Sequence, residues 1–291
     1  MRGEGLAFRV GPFSARVQCA VPAVARDILS LYTGYATVGA DDFIDYHLKV
    51  RPVSPLRRWV RPSVMADAGM VNTPFVPLPA DIGVLAHEMG LNWLIATTAD
   101  DYLIFHAGIV EKNGRTILMP GASGSGKSTL TAGLAFSGWR LFSDEFAVLH
   151  PESFQFFPYP RPVSLKNSSI PVLGERIPDS QFSRIYEKTP KGTIRYLRPS
   201  AEALARDREP GRPFLILYPE YRPDAAPQAI ELPKPEAFAM VRSASVNCDR
   251  LGALAFTTLA DLADQCRAFR LVYRSLDQGM AMVNDLAEQF A

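Results

Sequence analysis

An eight-residue stretch, GASGSGKS at positions 121–128, indicates which kind of fold to expect from this chain. It matches the pattern G-x-x-x-x-G-K-[ST] at every fixed position, and an apolar run ending at Met119 precedes it. We predict that a helix follows, from Lys127 to about residue 137. A strand, a glycine-rich loop and a helix in this order are typical of α/β proteins that bind phosphate groups.

The residue types in this loop suit a bound phosphate chain. Glycines at positions 121, 124 and 126 allow the backbone to curl until successive amide groups point at phosphate oxygens. The helix N-terminus adds its dipole and its unpaired N–H groups. We expect Lys127 to reach the β- and γ-phosphates of ATP and the Ser128 hydroxyl to bind Mg²⁺, with GTP as the alternative nucleotide. The candidate nucleotide-binding residues are Gly121, Ala122, Ser123, Gly124, Ser125, Gly126, Lys127, Ser128 and Thr129.

A hairpin is predicted immediately before the loop. The apolar runs 102–110 and 115–120 are joined by a segment that ends in Asn-Gly, the strongest short-range signal for a two-residue turn. With Asn113 and Gly114 as the turn residues, Lys112 faces Arg115. The same register sets His106 opposite the first loop glycine, so a titratable ring is expected beside the phosphate site.

Two carboxylates, Asp144 and Glu145, follow the loop at an early point in the chain. One helix, one turn and a short strand at 139–143 fill the interval, and this unit returns Asp144 to the loop. A carboxylate at that position can bind Mg²⁺ or accept the proton of an attacking hydroxyl.

Residues 102–149, from the histidine of HAGIV through the acidic pair, resemble the core of the HPr kinase/phosphorylase family. The resemblance implies an α/β P-loop fold with a mixed sheet, similar to phosphoenolpyruvate carboxykinase, behind an N-terminal mixed lobe. Members of this family use ATP and Mg²⁺ to phosphorylate a serine of a small protein. The middle of the chain lacks the family's second signature region, so the chain looks more like divergent HPr kinase-related groups, some associated with peptide modification.

The same resemblance implies roles for individual residues. Asp144 matches the catalytic base and His106 the histidine beside it, while Lys127 matches the catalytic phosphate ligand. Ser128, Asp144 and Glu145 are the implied metal ligands, with Glu145 standing where an aspartate is usual. Because related kinases are often oligomeric, the resemblance also implies a homo-oligomer.

A basic segment between residues 161 and 198 is the candidate region for substrate contacts. Charge on a transferring phosphoryl group requires cations beyond the loop lysine, and Arg161 and Lys166 are the candidates. The stretch 189–198 is expected to close over the substrate as a loop.

Composition restricts the possible partners of the chain. With 31 basic against 30 acidic residues, the net charge of +1 argues against general nucleic-acid binding. No apolar run approaches the roughly 18 residues of a membrane span, and three widely spaced cysteines indicate a reduced, cytoplasmic protein. We predict an N-terminal mixed α+β lobe over 1–78 and a P-loop kinase domain over 79–291, which finishes as helix, strand and helix.

Three functions compete on this basis. The leading one is an ATP- and Mg-dependent kinase that phosphorylates a hydroxyl, with a serine of a small protein or peptide as acceptor. A small-molecule kinase on the same fold is the second. The third is a nucleotide-binding regulator without phosphotransfer, which would need neither Asp144 nor His106.

Overall fold

A computed structural model describes residues 1, 3–39, 42–58, 60–71, 73–122 and 124–290 of the chain. These residues form a mixed α/β structure with three sheets. The strands are β1 (Leu6–Val10), β2 (Phe13–Cys19), β3 (Tyr46–Pro52), β4 (Ser63–Asp67), β5 (Leu78–Pro79), β6 (Leu103–Lys112), β7 (Arg115–Pro120), β8 (Arg140–Ser143), β9 (Phe146–His150), β10 (Gln155–Phe157), β11 (Val163–Lys166), β12 (Phe182–Thr189), β13 (Gly192–Leu197), β14 (Arg212–Tyr221), β15 (Gln228–Glu231) and β16 (Arg267–Tyr273).

Helices cover the faces and ends of the sheets. They are α1 (Pro22–Leu31), α2 (Val84–Thr98), α3 (Lys127–Ala135), α4 (Ser169–Gly174), α5 (Ala201–Ala205), α6 (Lys234–Ala244), α7 (Cys248–Leu251), α8 (Ala253–Gln265) and α9 (Leu276–Gln289). Within the described ranges, no helix combines the length and the apolar character that a membrane span requires. The predicted finish of helix, strand and helix is confirmed by α8, β16 and α9.

The first sheet has the order β1-β2-β3-β4-β5 and carries α1 and α2 on one face. Helix α2 is apolar on nearly every side and is therefore buried, with Gly90 lying directly against Leu48 and Ala66 of the sheet. Helix α2 lies beyond the boundary predicted at residue 78 and packs on the first sheet, which an apolar helix pattern alone does not indicate. The division into an N-terminal lobe over 1–78 and a kinase domain over 79–291 stays a prediction.

The second sheet has the order β10-β9-β6-β7-β14-β16-β15, with β8 also paired to β6. The register predicted for the β6–β7 hairpin is confirmed: Lys112 pairs with Arg115, and the ladder continues to Ala107 opposite Pro120. Asn113 and Gly114 have φ values of 55° and 78°, as a type I′ turn requires. His106, the residue before Ala107 in β6, therefore lies at the start of the glycine-rich loop.

Strand β6 is long enough to pair with two successive strands on its other edge. Its first half pairs with β9 and its second half with β8, both antiparallel. The gap between these partners contains only Asp144 and Glu145, which stand opposite Ala107 and Gly108. The two carboxylates are thus placed at mid-strand, one strand away from the loop.

Strands β14 and β16 extend the sheet on the opposite side of β7, and both run parallel to it. The carboxyl ends of three parallel strands therefore meet at the edge where the loop leaves β7. In α/β sheets this edge is where ligands bind.

The third sheet, β11-β13-β12, occupies the middle of the chain. One face packs against the phosphate-loop core through Val163 and Leu165, and the other packs against the N-terminal core through Tyr186 and Tyr196. The expectation of a closing loop over residues 189–198 is wrong, since most of these residues form the central strand β13. Buried apolar residues at alternate positions hold that strand in place.

Candidate active site

The glycine-rich loop connects β7 to α3 in the geometry that the motif predicts. Gly124 and Gly126 have φ values of 88° and 89°, a region that residues with a side chain rarely adopt. The Ser125 amide donates to the Ala122 carbonyl at 3.1 Å and tightens the turn. Helix α3 begins at Lys127 without a side-chain cap from any described residue, so its first N–H groups remain available for an anion. Ser123 lies outside the described residues.

Close packing fixes the helix against the sheet behind the loop. Gly108 of β6 lies so near α3 that a Cβ at this position would collide with the Thr131 hydroxyl and stand 3.4 Å from Lys127 Cγ. At the start of the loop, a Cβ on Gly121 would come within 2.6 Å of Ser125 Oγ. Glycine at position 108 lets β6 and α3 approach this closely, whereas at position 121 the contact is to the end of the Ser125 side chain, which can rotate.

A buried acid–base pair connects the loop to the acidic residues. The Lys127 Nζ donates to the Asp144 carbonyl oxygen at 2.7 Å and lies 3.8 Å from Asp144 Oδ1. Asp144 is 5% exposed, and its Oδ1 has no hydrogen-bond partner among the described residues. Burial raises the pKa of Asp144, although Lys127 and Ser128 act in the opposite direction. A carboxylate with a raised pKa and a free oxygen is suited to accept a proton.

His106 and Glu145 form the mouth of the site. The His106 Nδ1 lies 3.1 Å from the Glu145 carbonyl oxygen and 3.8 Å from its Oε1, and both side chains are partly exposed. Burial, followed by the charge of Lys127, lowers the pKa of His106 even though Glu145 opposes the shift. This shift favours the neutral ring, which has one nitrogen that donates a hydrogen bond and one that accepts.

Lys166 ends β11, a strand that packs against α3, and the charges of Asp144, Glu145, Lys127 and Lys191 all act on its pKa. Burial and then Lys191 lower the pKa of Lys166. Lys191 lies in the β12–β13 turn and was not a sequence candidate, because nothing in its local pattern distinguishes it from a solvated surface lysine.

Arg161 is placed elsewhere, and the expectation that it contacts a transferring phosphoryl group does not hold. Its side chain is 3% exposed and forms an ion pair with Glu88 of α2. It also donates to the hydroxyls of Tyr32 and Tyr159, at 3.2 and 3.0 Å, and to Asn92. Through these bonds the guanidinium joins the N-terminal lobe to the segment before β11.

Thr131 and Tyr273 add polar groups around the loop that the sequence pattern does not indicate. Four buried oxygens there lack a hydrogen-bond partner in the described part of the chain: Ser125 Oγ, Thr131 Oγ1, Asp144 Oδ1 and Tyr273 OH. Tyr273 alternates with apolar residues along β16, so its sequence pattern shows only a core position. Thr129, a candidate nucleotide ligand, has its hydroxyl 2.7 Å from Ser169 Oγ, which ties the first turn of α3 to α4.

The oxygen donors available here fit a cation that arrives together with phosphate. Across the described residues, no group of three His, Cys, Asp or Glu side chains is disposed to hold a metal ion. Asp144 offers a free carboxylate oxygen, and Ser128 stands close enough to influence its pKa. Mg²⁺ commonly binds one or two carboxylates and takes its remaining ligands from water and substrate phosphates.

Comparison with known proteins leaves the family of the chain open. No protein-family model matches it, and no curated protein matches it. Among solved structures, it is similar to the HPr(Ser) kinase/phosphatase from Coxiella burnetii, with 11% identity, 64% of this chain and 98% of that chain covered, and a TM-score of 0.30. At that TM-score the likeness carries no argument about fold or function.

Proposed function

We propose that the protein is an ATP- and Mg-dependent kinase that transfers the γ-phosphoryl group to a hydroxyl. One observation carries this proposal: a buried carboxylate, Asp144, has an unmet hydrogen bond and lies beside the lysine of a phosphate loop. A carboxylate at this position can bind Mg²⁺ in any nucleotide-binding protein, and its free oxygen can also accept the proton of an attacking hydroxyl, which only a kinase requires. The resemblance of residues 102–149 to HPr kinases favours the same chemistry, and we extend the proposal to an HPr kinase-like fold for the phosphate-loop region.

Each residue has a defined task in the proposed reaction. Asp144 accepts the proton of the acceptor hydroxyl while that oxygen forms a bond to the γ-phosphorus and the bond from the γ-phosphorus to the ADP oxygen breaks. Lys127 leaves the Asp144 carbonyl oxygen to hold the phosphates, and Lys166 balances charge on the transferring group. Mg²⁺, held by Asp144 and Ser128, would neutralise phosphate charge when bound.

The mouth of the site favours a protein or peptide acceptor over a small molecule. His106 and Glu145 have side chains that are 47% and 37% exposed, so the groups beside the buried Asp144 are accessible to a large partner. Two surface cavities, of about 700 and 570 Å³, are lined by other described residues and include none of the site residues named above. We therefore propose a serine of a small protein or peptide as the acceptor; a homo-oligomer stays a prediction.

The test is a labelling experiment with γ-labelled ATP and Mg²⁺, with and without a lysate of the protein's own source. Label on a small protein or peptide that disappears with Asp144→Asn supports the proposal. Label on a small metabolite would assign the acceptor to the second class. Tight ATP binding with no transferred label from wild-type protein would contradict phosphotransfer and favour a nucleotide-binding regulator.

A further inference from the structure

The phosphate loop has two flanks of different chemistry. On the β6 side lie Asp144, Glu145 and His106, the groups assigned to phosphotransfer. On the other side lie the carboxyl ends of β14 and β16, where Tyr221 and Tyr273 are paired neighbours in the parallel ladder.

Tyr221 is attached to the loop through its backbone. Its N–H donates to the Ser125 carbonyl oxygen at 2.9 Å, and a Cβ on Gly126 would stand 3.0 Å from the Tyr221 Cβ. Its side chain is nevertheless one of the exposed large apolar groups of the chain, with 48% of the residue accessible. An aromatic face is therefore held next to the loop and open to solvent.

Tyr273 provides an independent indication of a ligand on this flank. Its ring lies 6.0 Å from the Tyr221 ring at an interplanar angle of 55°. The residue is 2% exposed, yet its hydroxyl finds no partner among the residues that the structure describes, and it points at Gly126 so closely that any side chain there would collide with it. A buried hydroxyl without a partner is rare unless a ligand or an ordered water satisfies it.

We propose that the Tyr221 flank binds the base of the nucleotide, with the purine stacked on the exposed ring of Tyr221. This inference rests on the proposed function and adds the orientation of the nucleotide in the loop. The order of the strands runs from the catalytic carboxylates through the loop to the tyrosines, so the terminal phosphate lies toward Asp144 and the base toward Tyr221. Every base offers a π-face, so stacking alone predicts weak discrimination between adenine and guanine.

The test separates base from phosphate by comparing two ligands, ATP and inorganic tripolyphosphate, each titrated with Mg²⁺ by calorimetry. Tyr221→Ala removes the ring, Tyr221→Phe keeps it, and Phe43→Ala removes a more exposed aromatic residue from the N-terminal lobe. We expect Tyr221→Ala to weaken ATP binding about tenfold while tripolyphosphate binding stays within about twofold. Tyr221→Phe and Phe43→Ala should bind both ligands as the wild type does.

Two outcomes overturn the base site while the proposed function stands. Unchanged ATP affinity in Tyr221→Ala places the base elsewhere, and an equal loss for both ligands shows that Tyr221 only supports the loop. Wild-type protein that binds neither ligand overturns the proposed function itself. Thermal unfolding of each variant verifies that the compared proteins are folded.

Discussion

Two buried acid–base pairs, Glu88 with Arg161 and Asp144 with Lys127, differ in how completely their hydrogen bonds are satisfied. The guanidinium of Arg161 is surrounded by Glu88 and neutral acceptors, and Tyr32 donates a further bond to Glu88 at 2.9 Å. Lys127 reaches only the backbone oxygen of Asp144, and the Asp144 Oδ1 is 3.8 Å away with no partner in the described structure. Both pairs are buried, but only the second leaves a charged atom unused.

Whether every polar atom has a partner distinguishes a structural ion pair from a functional one. A saturated pair is a cross-link, since every atom already has its partner and no ligand can be added without breaking a bond. A pair with a free oxygen beside a phosphate loop has room for a ligand that completes it. Burial alone does not distinguish the two pairs, because both are buried.

The largest effect is expected at the Asp144–Lys127 pair, which we call the open pair because Asp144 Oδ1 has no partner in the described structure. Asp144→Asn should reduce phosphotransfer by about a thousandfold, because the amide cannot accept the hydroxyl proton. Nucleotide affinity should fall less than the transfer rate, because Asp144 supplies only one of the Mg²⁺ ligands while Lys127, Ser128 and the loop amides remain. Transfer rates and ATP affinities measured side by side check this, with the exposed Asp101→Asn as a matched control. A variant that keeps a tenth of the wild-type rate would exclude Asp144 as the base.

A substitution in the Glu88–Arg161 pair, the closed pair, should change the stability of the protein instead of its activity. Glu88→Gln should lower the free energy of unfolding by about 3 kcal/mol, because Arg161 cannot lose its charge and stays buried without a counter-ion. Urea unfolding at pH 7 measures the loss, and the exposed Glu152→Gln serves as the control. An equal effect of both substitutions would show that the buried ion pair does not hold the lobes together.

Removal of the other partner of this pair, by Arg161→Met, should make the free energy of unfolding depend on pH. Burial already raises the pKa of Glu88 and Arg161 opposes this, so removing the arginine raises that pKa further. A raised folded-state pKa gives stability that is present at acidic pH and lost as pH rises through it. The variant should therefore be more stable at pH 5 than at pH 8, relative to wild type. A parallel pH dependence of the two proteins would contradict this.

Gly108→Ala tests whether close packing supports the open pair. The added methyl would collide with the Thr131 hydroxyl and push α3 away from β6, at a cost of about 2 kcal/mol of unfolding free energy. Nucleotide affinity should fall with it because the helix carries Lys127. Gly174→Ala, where no atom of the described structure lies within 4 Å of the new methyl, should change neither quantity. Equal melting temperatures for the two variants would show that α3 has space to shift.

The smallest expected effect is on the stability of Asp144→Asn. Because the pKa of Asp144 is raised by burial, its ionisation at pH 7 opposes folding, and the neutral amide removes that opposition. The variant should therefore unfold at an equal or slightly higher temperature than wild type, with a gain under about 1 kcal/mol. A clear drop in melting temperature would mean that Lys127 needs the Asp144 charge to remain buried.

Local sequence predicts the parts of the fold whose geometry is set by a few neighbouring residues. Asn113 and Gly114 fix the hairpin register because few other residues adopt positive φ at both turn positions. The loop and the return of Asp144 follow from glycine spacing and from the short interval that one helix fills. The candidate site was predictable to this extent because its central residues lie within one strand-helix-strand unit.

The remaining features depend on contacts between distant segments. Arg161 looks like a candidate phosphate ligand until Glu88, from a helix in the other lobe, is found beside it. Tyr221 and Tyr273 meet only because β14 and β16 are adjacent in the sheet. Strand β13 lies within a basic segment whose charge suggests a loop, although alternate residues are buried. No local pattern carries these pairings.

A structure of the nucleotide complex would show whether the Asp144–Lys127 pair is the catalytic site. The protein crystallised with Mg²⁺ and a non-hydrolysable ATP analogue should hold the phosphates in the loop, with Lys127 turned from the Asp144 carbonyl oxygen to the phosphates. The terminal phosphate should lie beside the Asp144 carboxylate. A nucleotide bound with its terminal phosphate on the Tyr221 flank, or with Lys127 still on Asp144, would contradict the account.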